Sequence, residues 1–281
     1  MARLRFTILG CGASPGVPRI SGDWGACDPS EPRNRRTRCS ALIELFGDGE
    51  RPTRVVIDTG PDLRNQLLAA AVEAIDGVVY THPHADHVHG IDDLRGYWIN
   101  DGGRRTVPIY SDDATQQRLE EGFGYCFRAP PGSTYPPFLS RTRITPGVPF
   151  TIDGPGGPVA ILPFDQIHGD IRSLGLRVGP IAYSCDFNDL PPESVATLGG
   201  LDVWILDALR ERPHPSHCSV QEALAFVERL KPRRGIFTHM TNELDYRSLH
   251  RSLPANVEPA YDGMSFELAV EPASQNSGAT A

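Results

Sequence analysis

The stretch Gly77-Val78-Val79-Tyr80, followed by Thr81-His82-Pro83-His84-Ala85-Asp86-His87, decides how this chain is read. The first four residues are an apolar, β-branched run of the kind that forms a buried strand. The loop leaving it places His82, His84, Asp86 and His87, four metal-capable side chains, within six residues. Side-chain packing does not explain such a density. Imidazole and carboxylate are donors for Zn²⁺, Mn²⁺ or Fe²⁺, and alternate residues on a loop can face two adjacent sites. His89 extends the cluster but misses its spacing, and is read as a supporting or exposed residue.

Two ions need more donors than one loop supplies, and three further candidates stand where apolar strands end. His168 closes the segment Ile161-Leu162-Pro163-Phe164, Asp186 follows Ile181-Ala182-Tyr183-Ser184-Cys185, and His239 follows Gly235-Ile236-Phe237-Thr238. Any one could be an ordinary capped polar residue. Together, in a chain already holding the quartet, they complete a dinuclear centre. Further strands are expected at 6–9, 41–45, 54–57, 107–110, 159–162, 174–178, 203–206 and 266–270. The clearest helix covers 220–230, because Val220, Leu224, Val227 and Leu230 share one face. Ser219 is its N-cap, Glu222 completes a capping box, and Pro232 stands just beyond its end. Residues 122–149, rich in Gly, Pro and aromatics, read as a long ordered loop or lid rather than a strand.

The 281 residues are expected to form one domain over 1–272, with a flexible tail over 273–281. A net charge of −8 argues against a broad basic surface for long nucleic acid. The one dense cationic run, Arg33 to Arg38, is long enough to line a pocket for a small anion. There is no secretory pattern and no run of 18 apolar residues, so the expected location is cytoplasmic, off the membrane. Six scattered cysteines without a C-x-x-C pair read as reduced thiols. Cys185 and Cys218, beside site residues, are read as small buried side chains.

The HxHxDH run, with a later His, a later Asp and a final strand-end His, resembles the metallo-β-lactamase fold superfamily. That resemblance implies an α/β architecture, an αββα sandwich of two mixed sheets flanked by helices, with two divalent ions, Zn or Mn, at one sandwich edge. It gives His82, His84 and His168 to one ion, Asp86, His87 and His239 to the other, and Asp186 to both. Asp58, after Val55-Val56-Ile57, matches the superfamily's supporting acid. Gly10-Cys11-Gly12-Ala13-Ser14-Pro15-Gly16-Val17-Pro18, Asp92-Asp93-Leu94-Arg95 and Pro215-Ser216-His217-Cys218 narrow the likeness to the phosphoribosyl 1,2-cyclic phosphate phosphodiesterases. Those enzymes carry a structural zinc on clustered cysteines and a late His. Here only Cys27 remains and Asn242 stands in the place of that His, so no structural zinc is expected.

The expected reaction is hydrolysis of a small cyclic or nucleotide-like phosphodiester by a hydroxide between two ions. Asp186 bridges and His217, which the resemblance makes catalytic, serves the leaving oxygen. Arg36, Arg38 and Ser219 are the expected substrate contacts. The resemblance also suggests a homodimer. The rivals are a thioester or lactone hydrolase on the same metals, and a non-enzymatic carrier in cofactor biosynthesis. A di-iron redox role is disfavoured, since His84 replaces the carboxylate of that branch.

Overall fold

Alternation along the strands builds two sheets that share one core. In the computed structural model, which describes residues 2–270, the first sheet contains β1 (Ala2–Gly10), β2 (Ser40–Phe46), β3 (Thr53–Ile57), β4 (Gly77–Val79), β5 (Val107–Ser111) and β6 (Leu139–Arg143). The second contains β7 (Phe150–Ile152), β8 (Val159–His168), β9 (Ile171–Val178), β10 (Ile181–Ser184), β11 (Val203–Asp207), β12 (Arg234–Thr238) and β13 (Val257–Pro259). β14 (Met264–Val270) returns to pair antiparallel with β1, giving the order β14-β1-β2-β3-β4-β5-β6 beside β13-β12-β11-β10-β9-β8-β7.

Each sheet is antiparallel in one half and parallel in the other: the parallel pairings run from β3 to β6 in the first and from β10 to β13 in the second. Ala41, Ile43 and Leu45 of β2 enter the core between the sheets, while Leu42 joins a second cluster with Leu63, Leu67 and Leu119 of the covering helices. Val55 and Ile57 of β3 face inward and Val56 outward in the same way. A strand buried on both faces loses the polar alternation of an exposed one, which is why these strands read as continuous apolar runs. The result is two mixed sheets flanked by helices.

The helix Val220–Leu230 has the expected bounds, and both hydrogen bonds of its capping box form. Within the region read as a lid, Leu139–Arg143 instead pairs in parallel with β5, which corrects the loop reading there. The tail expected at 273–281 lies outside the described residues. No helix among the described residues is long and apolar enough to cross a membrane.

Candidate metal centre

Parallel strands deliver their following residues to a common rim, and here the rims of both sheets meet. β4 leads into the loop bearing His82, His84, Asp86 and His87; β8 ends in His168; Asp186 and His239 follow β10 and β12. Four non-glycine residues among those described have positive φ, and two are at this rim: Asp58 at 60° and His239 at 58°. Left-handed backbone costs an L-residue about 1–3 kcal/mol and persists only where its surroundings enforce it. It aims these two side chains into the centre.

Donor atoms of His82, His84, His168 and Asp186 all lie within 4.8 Å of one another. His168 Nε2 is 3.2 Å from His84 Nδ1 and 3.7 Å from Asp186 Oδ2, and His82 Nε2 is 3.6 Å from the same oxygen. Metal–nitrogen bonds of about 2.0–2.1 Å in a tetrahedron set donor separations of about 3.3 Å, so the spacing suits one ion. The other carboxylate oxygen, Asp186 Oδ1, lies 3.4 Å from His87 Nε2 and 3.0 Å from His239 Nδ1. Asp186 thus offers one oxygen to each half. Asp86 reaches the second half through Oδ2, 3.4 Å from His87 Nε2. The nitrogens His82 Nε2 and His87 Nε2 are buried without any hydrogen-bond partner, which an imidazole tolerates poorly unless a ligand fills the space it faces. The residues fit a pair of divalent ions.

Supporting contacts fix the rings. Asp58 accepts from the Thr81 backbone N–H at 2.8 Å and from its hydroxyl at 2.7 Å, and its Oδ2 lies 2.7 Å from His87 Nδ1. His87 Nε2 is thereby turned to the centre. His168 Nδ1 is held 2.6 Å from the Ser216 carbonyl. Burial pushes the His82, His84 and His168 imidazoles toward the neutral form, His168 to about 4. Burial acts the same way, and most strongly of any single cause, on His87 and His239, but Asp186 together with Asp86 and Asp58 at His87 and with Cys39 at His239 outweighs it, and both rise well above 6.5. Those imidazoles in turn hold Asp186 and Asp86 low against the burial that would raise them.

His217 stands beside the ligands, its ring 4.6 Å from those of both His168 and His239. Its Nδ1 lies 2.6 Å from Oδ2 of Asp207, a fully buried acid at the end of β11. Burial drives the Asp207 carboxyl up and the His217 imidazole down to about 4. The sequence reading missed Asp207. The signal was available: it follows an apolar strand just as Asp186 and His239 do.

Two expected substrate contacts are corrected. Arg36 is 1% exposed, and its guanidinium donates to the Thr241 and Leu244 carbonyls and to Asn34 Oδ1. A buried guanidinium must spend its donors on acceptors within the protein, and here it braces the loop after His239. Ser219 is 2% exposed, its hydroxyl and N–H both committed to Glu222 in the capping box. Arg38 stays at the rim: its Nε is 2.9 Å from Asp62 Oδ2, and its side chain passes Gly60, where an added Cβ would strike the Asp86 carbonyl at 2.3 Å. Asn242 donates to Asp23 and so ties down the loop near Cys27. His89 points away, its ring against Phe123. Phe123 and Phe127 pack on the outer core cluster, while Tyr125 and Tyr135 are exposed.

The family description "Beta-lactamase superfamily domain" matches residues 53–240. A solved diphosphatase from the PhnP family is 36% identical, superposes with a TM-score of 0.84, and is covered over 98% of its chain by 95% of this one. The chain belongs to the beta-lactamase superfamily, on its PhnP side. The resemblance read from the HxHxDH run is therefore confirmed at the level of family and fold. Members of this superfamily are metal-dependent hydrolases in the main, which fits the His/Asp cluster. The superfamily match also includes Zn²⁺-bound PqqB from Methylobacterium extorquens, 18% identical over 94% of this chain and 100% of that one with a TM-score of 0.70, a likeness of fold alone. An octanoyltransferase from Porphyromonas gingivalis is 29% identical over 93% of this chain, which spans 51% of that longer protein.

Proposed function

We propose that the chain hydrolyses a small phosphodiester with the help of two divalent ions, and that His217 paired to Asp207 carries the proton. That pair beside the ligand cluster is the observation behind this reading, because a thioester releases a thiolate, a better leaving group than an alkoxide, and has less need of such a residue. His82, His84 and His168 would hold one ion, Asp86, His87 and His239 the other, with one oxygen of Asp186 toward each. The chemistry supplied by ions bound there would be a lowered pKa for a water and polarisation of a phosphoryl oxygen.

The protein's own part is to position and to move a proton. In the tautomer whose Nδ1–H donates to the Asp207 carboxylate, the neutral His217 ring keeps a lone pair on Nε2. That nitrogen can take the proton released by the attacking water and return it to the departing alkoxide, while Asp207 stabilises the transient imidazolium. Arg38 supplies a cation at the rim for the substrate's second charge. With one such cation and an overall charge of −8, the fitting partner is a small phosphorylated molecule rather than a long nucleic acid.

The decisive experiment gives the metal-loaded chain bis-nitrophenyl phosphate, a ribose cyclic phosphodiester, a nucleoside diphosphate, and acyl thioester and lactone substrates. Phosphodiester turnover is expected, falling about 10²–10⁴-fold in His217→Ala at unchanged metal content. Turnover of thioester or lactone alone would remove the phosphodiester reading. Preference for the diphosphate would favour a second reading, which the 36%-identical PhnP-family diphosphatase makes specific. Metal binding without turnover of any substrate would favour a carrier.

A further inference from the structure

Cys185 has no part in the reaction proposed above, yet its side chain enters the second half of the centre. It immediately precedes Asp186, and its Sγ lies 2.9 Å from Asp186 Oδ1 and 3.7 Å from His239 Nδ1. One donor atom each from His87, Cys185, Asp186 and His239 lie within 4.8 Å of one another, as tightly grouped as the four of the first half. All four residues are buried. A tetrahedral ion with a metal–sulfur bond of about 2.3 Å and a metal–nitrogen bond of about 2.0–2.1 Å spaces those donors about 3.6 Å apart. The Cys185–His239 separation matches that edge, while the 2.9 Å from Sγ to Asp186 Oδ1 is a thiol hydrogen bond that would lengthen as the proton leaves. Independently, His87 Nε2 is fully buried, has no hydrogen-bond partner, and belongs to the same group of four.

We propose that Cys185 joins His87, His239 and Asp186 as a protein ligand of the second ion, in the place given above to Asp86, and makes that position select Zn²⁺ over Mn²⁺. The inference rests on the dinuclear reading and goes beyond it by naming a donor and a selectivity. Thiolate is a soft donor that favours zinc, whereas manganese prefers oxygen. The first half contains imidazole and carboxylate only, so the preference belongs to the second ion. On binding, the thiol proton leaves to solvent and a metal–sulfur bond takes its place, with no oxidant or reductant involved. Cys39, the other thiol nearby, hydrogen-bonds the Gly12 carbonyl at 3.5 Å and the Thr238 hydroxyl at 3.6 Å; it reaches Cys185 and His239 but lies outside the group of four donors, and serves as the control.

The test titrates metal-free full chain with Co²⁺ and follows its absorption. Ligand-field bands report bound cobalt; a sulfur-to-cobalt charge-transfer band reports the thiolate. The charge-transfer band is expected in the parent chain and in Cys39→Ser, growing with one of the two equivalents, and absent from Cys185→Ser, which keeps its ligand-field bands. Ligand-field bands without a sulfur band in the parent chain, or a sulfur band surviving in Cys185→Ser, overturn the proposal and leave the dinuclear centre standing. No ligand-field bands at all overturn both. In competition between equal Zn²⁺ and Mn²⁺, Cys185→Ser should lower the zinc-to-manganese ratio retained about 10–100-fold; an unchanged ratio overturns the selectivity.

Discussion

His82, His84 and His168 meet in one half of the centre with their imidazoles pushed toward the neutral form, whereas His87 and His239, in the other half, sit against carboxylates and are pushed toward the charged form. The first half therefore presents lone pairs ready for an ion. The second must release protons before it accepts one. The same ring chemistry gives opposite behaviour because the acids are distributed unequally: Asp58 and Asp86 contact His87, and neither contacts the first three rings. Two adjacent sites that share Asp186 can therefore be filled in order and under different conditions.

The most severe way to break the comparison is to remove the residue both halves share. Asp186→Ala should strip both ions and lower turnover by more than about 10³-fold, beyond the loss of one preorganised electrostatic group; elemental analysis showing one ion retained at full occupancy would mean the halves do not share it. A milder change separates them. Asp58→Asn reaches the first three imidazoles only through the Thr81 hydroxyl, 3.0 Å from His82 Nδ1, but loosens His87 directly, so affinity for the second ion should fall about 10–100-fold, while calorimetry finds a smaller loss at the first.

The smallest effect is one of acidity. A histidine whose pKa is raised must give up a proton to bind metal, so affinity for the second ion should climb about tenfold per pH unit and per proton displaced between about pH 6 and about pH 8. His168, lowered to about 4, meets proton competition only near that value, so the first ion should be retained through the same window. Metal content after dialysis at the two pH values checks both signs; equal retention of the two ions at each pH would erase the distinction.

The halves also differ in how much of them can be read in the sequence. Four donors crowd into one loop from His82 to His87, and such crowding is visible without a fold. His168, Asp186 and His239 were legible only as polar residues ending apolar strands, and their meeting depends on two sheets presenting the same rim. Asp207 was not singled out and Cys185 was read as a small buried side chain, since a thiol or an acid next to a strand has many ordinary uses. Arg36 misled because a run of arginines shows charge and not burial; the carbonyls of Thr241 and Leu244 that enclose it lie some 200 residues away in the chain. Most strands were readable from apolar runs, but Leu139–Arg143 is a polar edge strand and Val257–Pro259 ends in a proline, which is tolerated at an edge and gives no strand signal.

The donors begin at His82 after a strand of the first sheet and end at His239 after a strand of the second, so the cage is complete only once both sheets have formed and packed together. A nascent chain emerging with its histidine loop exposed can hold an ion only weakly, because the remaining donors have yet to be synthesised or brought into place. The choice of metal is thus deferred until folding is complete. It is then made by a finished cage from whatever ions its surroundings supply at that moment, so the history of where the chain folds becomes part of its chemistry.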